Sequence, residues 1–392
     1  MSKKSPQLRF EGFTDDWEER KLKDIAQFNP KTVLPDEFEY VDLESVVGTE
    51  MISHRTESKD QAPSRAQRLA QKGDVFYQTV RPYQMNNYLY DLPYDNYVFS
   101  TGYAQMRPNI DSYFLLNSVQ NKQFVQHVLD RSTGTSYPAI NSSDLSNIEI
   151  HVPSKLSEQQ KIGAFFQSID DTIALHQRKL DLLKEQKKGY LQKMFPKNGA
   201  KVPELRFAGF ADDWEERKLG DVFSERSERS SEGELISVTI NSGVVKASEL
   251  DRKDNSSNDK SNYKKVEVGD IAYNSMRMWQ GASGYSSYDG ILSPAYTVII
   301  PKEGTDSKFF AYDFKRHDMI QTFKRNSQGL TSDTWNLKFP TLKSVKVMVP
   351  CMEEQTKISN FFERLDTTIT LHQRKLDLLK EQKKGFLQKM FV

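Results

Sequence analysis

The spacing of hydrophobic residues changes from that of strands to that of helices twice along the chain. Stretches rich in Tyr, Phe, Val and Thr, broken by Gly, Pro and Asn, predict short strands joined by turns. The runs NIEIHV at 147–152 and SVKVMV at 344–349 alternate at period two, and each ends at a proline. These runs therefore predict a closing strand in each half of the chain.

Two long helices are predicted after Pro153 and Pro350, where apolar residues begin to recur at helical spacing. The pattern holds over more than four heptads, which is typical of helices that bury a narrow stripe against a partner. Ser157 is the predicted cap of the first helix, and Pro196 bounds its far end. The predicted seam residues are Ile162, Phe166, Ile169, Ile173, Leu180 and Leu183, and Ile358, Phe362, Leu365, Ile369, Leu376 and Leu379.

Polar residues interrupt both seams at equivalent positions. For His176 and His372 we predict partly buried packing, or a hydrogen bond that fixes the register of the helices. A proton switch is the alternative. The basic LHQRKLDLLKEQKKG segments predict a solvated helix face, and contact with phosphates or a partner protein is the other possibility.

The chain contains an internal duplication. Residues 8–24 recur at 205–221 with 14 of 17 positions identical, and residues 175–195 recur at 371–391 with one change. Between these segments only fragments align, such as GDVFYQTVR at 73–81 with GDIAYNSMR at 269–277. A repeat this long is no solenoid and predicts two copies of a domain, each followed by its helix.

The duplication predicts an α+β fold with two β-rich mixed domains joined by two long helices, which form an antiparallel coiled coil about a pseudo-two-fold axis. Under that symmetry, residues 1–10 should lie near the end of the second helix. A helix of 33 residues, from Ile162 to Met194, is roughly 50 Å long. Dimeric DNA-binding proteins place two half-sites about 34 Å apart. Because the middles differ, the expected target is split and asymmetric.

Composition limits the possible classes of function. The chain has 392 residues, enough for two to four domains, and its net charge of +1 gives no global sign of nucleic-acid binding. The single cysteine, Cys351, and the lack of an apolar leader predict a cytoplasmic protein. No run of residues is long and apolar enough to predict a membrane span.

Motifs for catalysis and for cofactor or metal binding are missing from the sequence. It contains no GxxxxGK[ST] or GxGxxG loop, and the NPK at 29–31 is not the NPP-aromatic motif of adenine methyltransferases. It also has no HExxH or paired CxxC motif. We therefore expect no catalytic site, no cofactor and no metal in this chain.

Two loops in each half offer the side chains that hydrogen-bond to bases and phosphates. The first loop of each half follows the shared GD strand, and the second precedes the closing strand. Surface turns have the same composition, so turn or packing roles remain open for each residue, and a core role remains open above all for Trp279. The candidates in the first half are Arg81, Tyr83, Gln84, Asn86, Asn87, Thr135, Ser136, Tyr137 and Asn141. Those in the second half are Arg277, Trp279, Gln280, Gln328, Thr331, Ser332 and Asn336.

Arg81 and Arg277 are aligned between divergent neighbours, which suggests a shared role such as anchoring a phosphate while nearby Gln and Asn residues specify bases.

The order of these segments resembles the specificity subunits of type I restriction-modification systems. The resemblance rests on WEERKLKD and WEERKLGD, on SEQQKIGAFFQSIDDTI and EEQTKISNFFERLDTTI, and on the LHQRKLDLLKEQKKG repeats, and it spans the whole chain. It implies target-recognition domains at 1–153 and 197–350 and conserved helical regions at 154–196 and 351–392.

The resemblance also implies partners. These are double-stranded DNA with a bipartite target, two methyltransferase subunits that use S-adenosylmethionine, and restriction subunits that use ATP and Mg. On this basis we expect a non-catalytic specificity subunit that positions those enzymes. The alternative is a coiled-coil scaffold with two protein-binding domains and no affinity for DNA.

Overall fold

A computed structural model describes residues 5–197, 199–251, 256–332 and 334–392. The chain divides into two compact units. The first comprises Met1–Gln177 and Arg374–Val392, and the second comprises Arg178–Gln373. The division passes through both long helices, so each unit contains one β-rich domain and half of each helix.

The described residues of the first unit form mainly short strands, with four short α-helices. Its strands are β1 (Glu18–Lys21), β2 (Ala26–Phe28), β3 (Glu37–Val41), β4 (Val46–Val47), β5 (Glu50–Met51), β6 (Arg55–Ser58), β7 (Ala66–Leu69), β8 (Val75–Gln78), β9 (Tyr88–Leu89), β10 (Tyr97–Ser100), β11 (Tyr103–Pro108) and β12 (Glu149–Val152). Its short helices are α1 (Leu22–Ile25), α2 (Ser112–Val119), α3 (Lys122–Asp130) and α4 (Ser142–Ser146). The long helix α5 (Leu156–Lys193) follows.

The second unit begins and ends with the same elements but differs in its middle strands. Its strands are β13 (Glu215–Lys218), β14 (Phe223–Glu225), β15 (Ile236–Thr239), β16 (Gly243–Lys246), β17 (Lys264–Val266), β18 (Ile271–Asn274), β19 (Ser283–Tyr285), β20 (Gly290–Leu292), β21 (Tyr296–Pro301) and β22 (Lys346–Val349). Its short helices are α6 (Leu219–Val222), α7 (Ser307–Asp313), α8 (His317–Asn326) and α9 (Phe339–Leu342). The long α10 (Met352–Lys389) follows, and its second half belongs to the first unit. The predicted α+β fold is confirmed.

Two sheets are common to both units. The antiparallel pairs β1–β12 and β13–β22 join the opening segment of each domain to its closing strand, and the sheet β2-β11-β8-β9 corresponds to β14-β21-β18-β19. The units differ in the remaining strands. The first has a four-stranded sheet, β6-β3-β10-β7, in which β3 and β10 are parallel, whereas the second has the separate pairs β15–β16 and β17–β20. Sequence divergence therefore coincides with a different strand arrangement.

The long helices pair antiparallel within each unit. In the first unit the ring centroids of Phe165 and Phe386 are 5.0 Å apart, and Lys383 forms a 2.6 Å ion pair with Asp170. In the second unit the equivalent Tyr190 and Phe361 rings are also 5.0 Å apart. The predicted antiparallel packing is confirmed in both units. All the predicted seam residues are buried or half-buried, as are His176 and His372.

The core of each domain is completed by the last residues of the helix from the other copy. Phe391, after α10, packs on Trp17 of the first unit at a centroid distance of 6.3 Å. Phe195, after α5, packs on Trp214 of the second unit at 6.0 Å. The amide of Leu8 donates a 2.9 Å hydrogen bond to the carbonyl of Lys389. The predicted proximity of the termini thus holds for Leu8, while residues 1–4 lie outside the described residues.

One local prediction was wrong, and four short helices were missed. Helix α5 begins at Leu156, so Ser157 lies in its first turn and is not its cap. Helices α2, α3, α7 and α8, on the other hand, were not predicted. Two to four buried apolar residues in a helix of 7–10 residues make too short a pattern to separate from a strand. Among the described residues, no helix combines the length and apolarity needed to cross a membrane.

Candidate nucleic-acid interface

In the first unit the two predicted loops lie side by side. The amide of Ile140 donates a 3.0 Å hydrogen bond to the carbonyl of Thr79, and the amide of Arg81 donates one of 2.7 Å to the carbonyl of Pro138. These backbone bonds hold residues 79–87, after β8, against residues 132–141, before β12. We call these two segments the first loop pair.

The second unit forms an equivalent structure, the second loop pair, from residues 275–280 and from the described residues 326–332 and 334–336. The amide of Leu337 donates a 2.8 Å hydrogen bond to the carbonyl of Ser275, which matches the bond from Ile140 to Thr79. Gln328 and Asn336 exchange backbone hydrogen bonds of 3.0 and 2.8 Å across the base of the second segment. In each unit the structure therefore brings the two predicted loops together on one surface.

In the first loop pair, a cation–π contact links the side chains of the two segments. The Arg81 guanidinium carbon lies 4.5 Å from the centre of the Tyr137 ring, and that ring is 64% exposed. Arg81 and Met85 flank the short helical turn Pro82–Gln84, and both adopt the left-handed conformation, with φ of 55° and 57°. Non-glycine residues seldom adopt this conformation unless the surrounding structure enforces it.

Amide side chains support the first loop pair from beneath. Asn87 is 1% exposed, and its Oδ1 accepts a 2.8 Å hydrogen bond from the amide of Gln78. Gln84 Oε1 accepts a 2.9 Å bond from Gln78 Nε2, and Asn86 Oδ1 accepts one of 2.9 Å from the amide of Gly48. These contacts assign Asn87 to holding the loop, while Gln84 remains exposed.

In the second loop pair, two tryptophans make the corresponding contact. The rings of Trp279 and Trp335 meet edge to face with centroids 5.2 Å apart, and Trp279 Nε1 donates a 3.0 Å hydrogen bond to the carbonyl of Met276. Both rings are half-buried. Arg277 is exposed, and its Nη1 lies 3.4 Å from Gln280 Oε1. The aligned arginines therefore have different surroundings.

The other candidates are exposed, except for Asn336. Asn141 caps α4 by accepting a 2.8 Å hydrogen bond from the amide of Asp144, although its own side chain is exposed. Asn336 is half-buried. The exposed candidates are Tyr83, Thr135, Ser136, Gln328, Thr331 and Ser332. Leu330, not predicted, is fully exposed between two of them.

Both halves of the chain match one family model. The model describes the type I restriction modification DNA specificity domain, and it matches residues 14–185 and 211–381. The chain belongs to this specificity family.

Curated relatives are also members of type I systems. The chain is 26% identical over 176 residues to the HindI specificity subunit of Haemophilus influenzae, covering 41% of this chain and 37% of that subunit. It is 22% identical over 302 residues to the MjaVIII specificity subunit of Methanocaldococcus jannaschii, covering 71% of this chain and 69% of that one.

Solved structures share the fold. The S subunit of a type I system from M. genitalium matches with a TM-score of 0.63 and 17% identity, over 99% of both chains. A chain from a study of complex assembly and conformational transition in a type I system matches with a TM-score of 0.53 and 20% identity, over 95% of this chain and 97% of that one. At these identities the likeness concerns the fold.

Lys315 supports the second loop pair of this specificity chain, and the sequence did not indicate it. Its Nζ donates hydrogen bonds of 2.6 Å to the carbonyl of Gly281 and 2.9 Å to that of Ile240. Burial, together with the nearby charge of Lys187, lowers the pKa of the Lys315 ammonium to about 8. Lys315 thus ties the end of the 275–280 segment to the turn between β15 and β16.

A buried aspartate directly precedes β8 in the first unit and β18 in the second. Asp74 accepts 2.9 Å hydrogen bonds from Arg107 Nε and Nη2, and Asp270 accepts bonds of 2.8 and 3.0 Å from Arg226. The aspartates are aligned in sequence, but Arg107 is on β11, whereas Arg226 follows β14. The GD motif was recognised in the sequence, but neither arginine partner could be inferred from it.

No group of three or more His, Cys, Asp or Glu side chains suited to a metal ion occurs within the described ranges.

Proposed function

We propose that this chain is a DNA sequence-specificity subunit that recognises a bipartite, asymmetric target and positions methyltransferase and restriction subunits on it. The contrast between the two loop pairs carries the proposal. An equivalent backbone bond joins the two segments of each pair, from Ile140 to Thr79 and from Leu337 to Ser275. The side chains that meet differ, because Arg81 contacts Tyr137 in one pair and Trp279 contacts Trp335 in the other. A common frame with different exposed groups suits the recognition of two unlike half-sites.

The chemistry of the exposed loop residues supports DNA as the ligand. Arginine and glutamine side chains can form bidentate hydrogen bonds to guanine and adenine edges, and hydroxyl side chains bind phosphates. The proposed contacts include Arg81, Gln84, Arg277, Gln280 and Gln328, together with the hydroxyl residues of both loop pairs. Asn87 is buried, so in this proposal it holds the loop in place and does not contact DNA itself.

The long helices take a second role in the proposal. They would set the distance between the two parts of the target and bind the partner enzymes. Each helix has 38 residues, or about 57 Å at the standard rise. We retain the proposed boundaries of 1–153 and 197–350 for the recognition domains and 154–196 and 351–392 for the helical regions.

Methyl transfer and cleavage belong to the partner subunits in this proposal. S-adenosylmethionine, ATP and Mg would bind there, and this chain would be non-catalytic and act in the cytoplasm. The purified chain, incubated with S-adenosylmethionine and DNA, should transfer no methyl groups. Methyl transfer by the isolated chain would overturn this part of the proposal.

Binding to a split DNA site tests the central claim. The chain with its methyltransferase subunits should bind one split sequence in preference to others, and binding should weaken as the salt concentration rises. Exchanging residues 197–350 for the corresponding domain of another family member should change one half of the target and preserve the other. A scaffold with two protein-binding domains predicts no sequence preference and no effect of the exchange on DNA.

A further inference from the structure

The Arg81 side chain is charged and half-buried, yet no acceptor for its guanidinium lies in the part of the chain that the structure describes. Among the described residues its guanidinium forms no hydrogen bond and no ion pair, and its contact is with the face of the Tyr137 ring. Stacking leaves all the N–H donors at the edge of the guanidinium free. Arg81 therefore presents a planar group of donors that none of the described residues uses.

The backbone fixes where this group points. Arg81 is held at φ 55° by the 2.7 Å bond from its amide to Pro138 and by the helical turn that begins at Pro82. Tyr137 comes from the other segment of the loop pair, directly before Pro138. The same backbone bond thus brings the ring beneath the guanidinium. A long, flexible side chain is ordered before any ligand binds, which lowers the entropic cost of binding.

Geometry favours a base edge over a phosphate as the partner. Arginine can bind a phosphate through two parallel hydrogen bonds, but lysine also binds phosphates, as a point charge, so such a contact does not require an ordered fork. Ordering a planar fork on an aromatic ring suits an acceptor pair of fixed spacing, such as O6 and N7 of guanine in the major groove. Arg277 lacks this arrangement, because its guanidinium lies beside Gln280 and no aromatic stack is described for it.

We propose that Arg81 recognises a guanine in the half-site bound by the first unit, with Tyr137 as its positioning residue, and that Arg277 has no equivalent role. This inference rests on the proposed DNA-specificity function. It replaces the shared phosphate-anchoring role that the alignment of the two arginines suggested.

The test uses the full chain in complex with its methyltransferase subunits. Methylated sites are first mapped in cells, so that the guanines of each half-site are known. Duplexes in which 7-deazaguanine replaces each guanine in turn are then measured for binding by the complex. One position in one half-site should lose affinity, because 7-deazaguanine lacks the N7 acceptor.

Variants assign that position to Arg81. R81K keeps the charge but loses the fork, and we expect a roughly 5- to 150-fold loss of discrimination at that guanine. The R81K complex should also no longer distinguish guanine from 7-deazaguanine there. R277K is the matched control, since it makes the same change in the other loop pair and should leave the requirement for that guanine in place.

Y137A and Y137F test the positioning role. Y137A should weaken discrimination at the same base without changing the salt dependence of binding, whereas Y137F keeps the ring and should restore discrimination. Circular dichroism and thermal unfolding check that each variant is folded.

Three outcomes would overturn the proposal. They are a first half-site without guanine, an R81K complex with undiminished discrimination, and an R81A complex that loses affinity equally for all sequences with a shallower salt dependence. The last result would identify a phosphate contact and leave the specificity function intact. Absence of sequence preference in the unmodified complex would instead overturn the proposed function itself.

Discussion

The contacts where each long helix begins are nearly identical in the two units, whereas those around the buried aspartates are not. Arg9 Nε lies 2.6 Å from Glu158 Oε1 at the start of α5, and Arg206 Nε lies 2.7 Å from Glu354 Oε1 at the start of α10. Asp74 and Asp270, by contrast, are paired with arginines from different places in the fold, Arg107 on β11 and Arg226 after β14.

The difference shows which parts of the duplicated fold can vary. The contacts at the helix starts join the domain to the helix pair, and a change on one side would require a matching change on the other. The buried aspartates require only that some cation reach them, since an unpaired buried charge is costly but the origin of its partner is unimportant. Strands can therefore rearrange around a retained aspartate.

The length of the shared helical frame should control the spacing of the target, and this is the largest effect we expect. Inserting seven residues in a helix keeps its heptad phase. When seven residues are inserted after Gln177 and another seven after Gln373, the antiparallel partners also stay aligned. Binding to the original split site should fall toward the non-specific level, which is roughly a 10³-fold loss or more. Binding selection from random DNA should return the same half-site sequences with a new separation.

A change in the half-site sequences themselves would contradict the idea that the helices act as a spacer. Insertions of four residues serve as the control, because they break the heptad phase and should destabilise the helix pair.

The aromatic residues that complete each core should be similarly important in both units. Phe195 and Phe391 are 1% and 6% exposed and occupy equivalent positions. Replacing either with alanine should lower the free energy of unfolding by about 3–5 kcal/mol, because each leaves a cavity between several rings. Urea unfolding measures the loss.

Leu175→Ala is the control on the same helical frame, since Leu175 is 66% exposed and its loss should cost less than about 0.5 kcal/mol. A loss below 1 kcal/mol for Phe195→Ala or Phe391→Ala would argue that the helix ends are not part of the cores.

The two arginines that pair with the buried aspartates should contribute unequally to the free energy of unfolding. Arg226→Met leaves Asp270 with one described hydrogen bond, from the amide of Glu267, and should cost about 3–5 kcal/mol. Arg107→Met leaves Asp74 bonded to Gln105 Nε2 and the amide of Gln71, so we expect a smaller loss of about 1–3 kcal/mol.

Adding Asp270→Asn to Arg226→Met should recover part of the stability, because the buried charge is then removed. Equal losses for the two arginine variants in chemical denaturation would show that the remaining hydrogen bonds do not compensate Asp74.

The smallest expected effect concerns the residue that ends the helical turn in each loop pair. Gly281 has φ 83° and Met85 has φ 57°, so both occupy the left-handed region. Gly281→Ala should cost about 1–2 kcal/mol from backbone strain, whereas Met85→Gly removes such strain and should change stability by less than about 1 kcal/mol. Thermal unfolding of the two variants compares them, and a neutral Gly281→Ala would contradict the strain argument.

Much of the architecture could be predicted from the sequence because it depends on periodic patterns. The heptads from Ile162 and from Ile358, the closing strands before Pro153 and Pro350, and the duplicated opening segments all determine local structure through the spacing of apolar residues. Placing the candidate loops also needed no more than the GD strands and the closing strands. The family resemblance then supplied the expected partners.

Contacts between distant side chains were decided by the tertiary structure alone. Arg226 reaches Asp270 across 44 residues of sequence, and Arg107 reaches Asp74 across 33. Arg81 meets Tyr137, and Lys315 meets Gly281, because strands and helices bring separate segments together. No local spacing rule encodes such pairs, since their geometry depends on how every intervening element packs. By itself, the sequence determined the duplicated frame and its helices. The tertiary structure decided which side chains are positioned on that frame to bind a ligand.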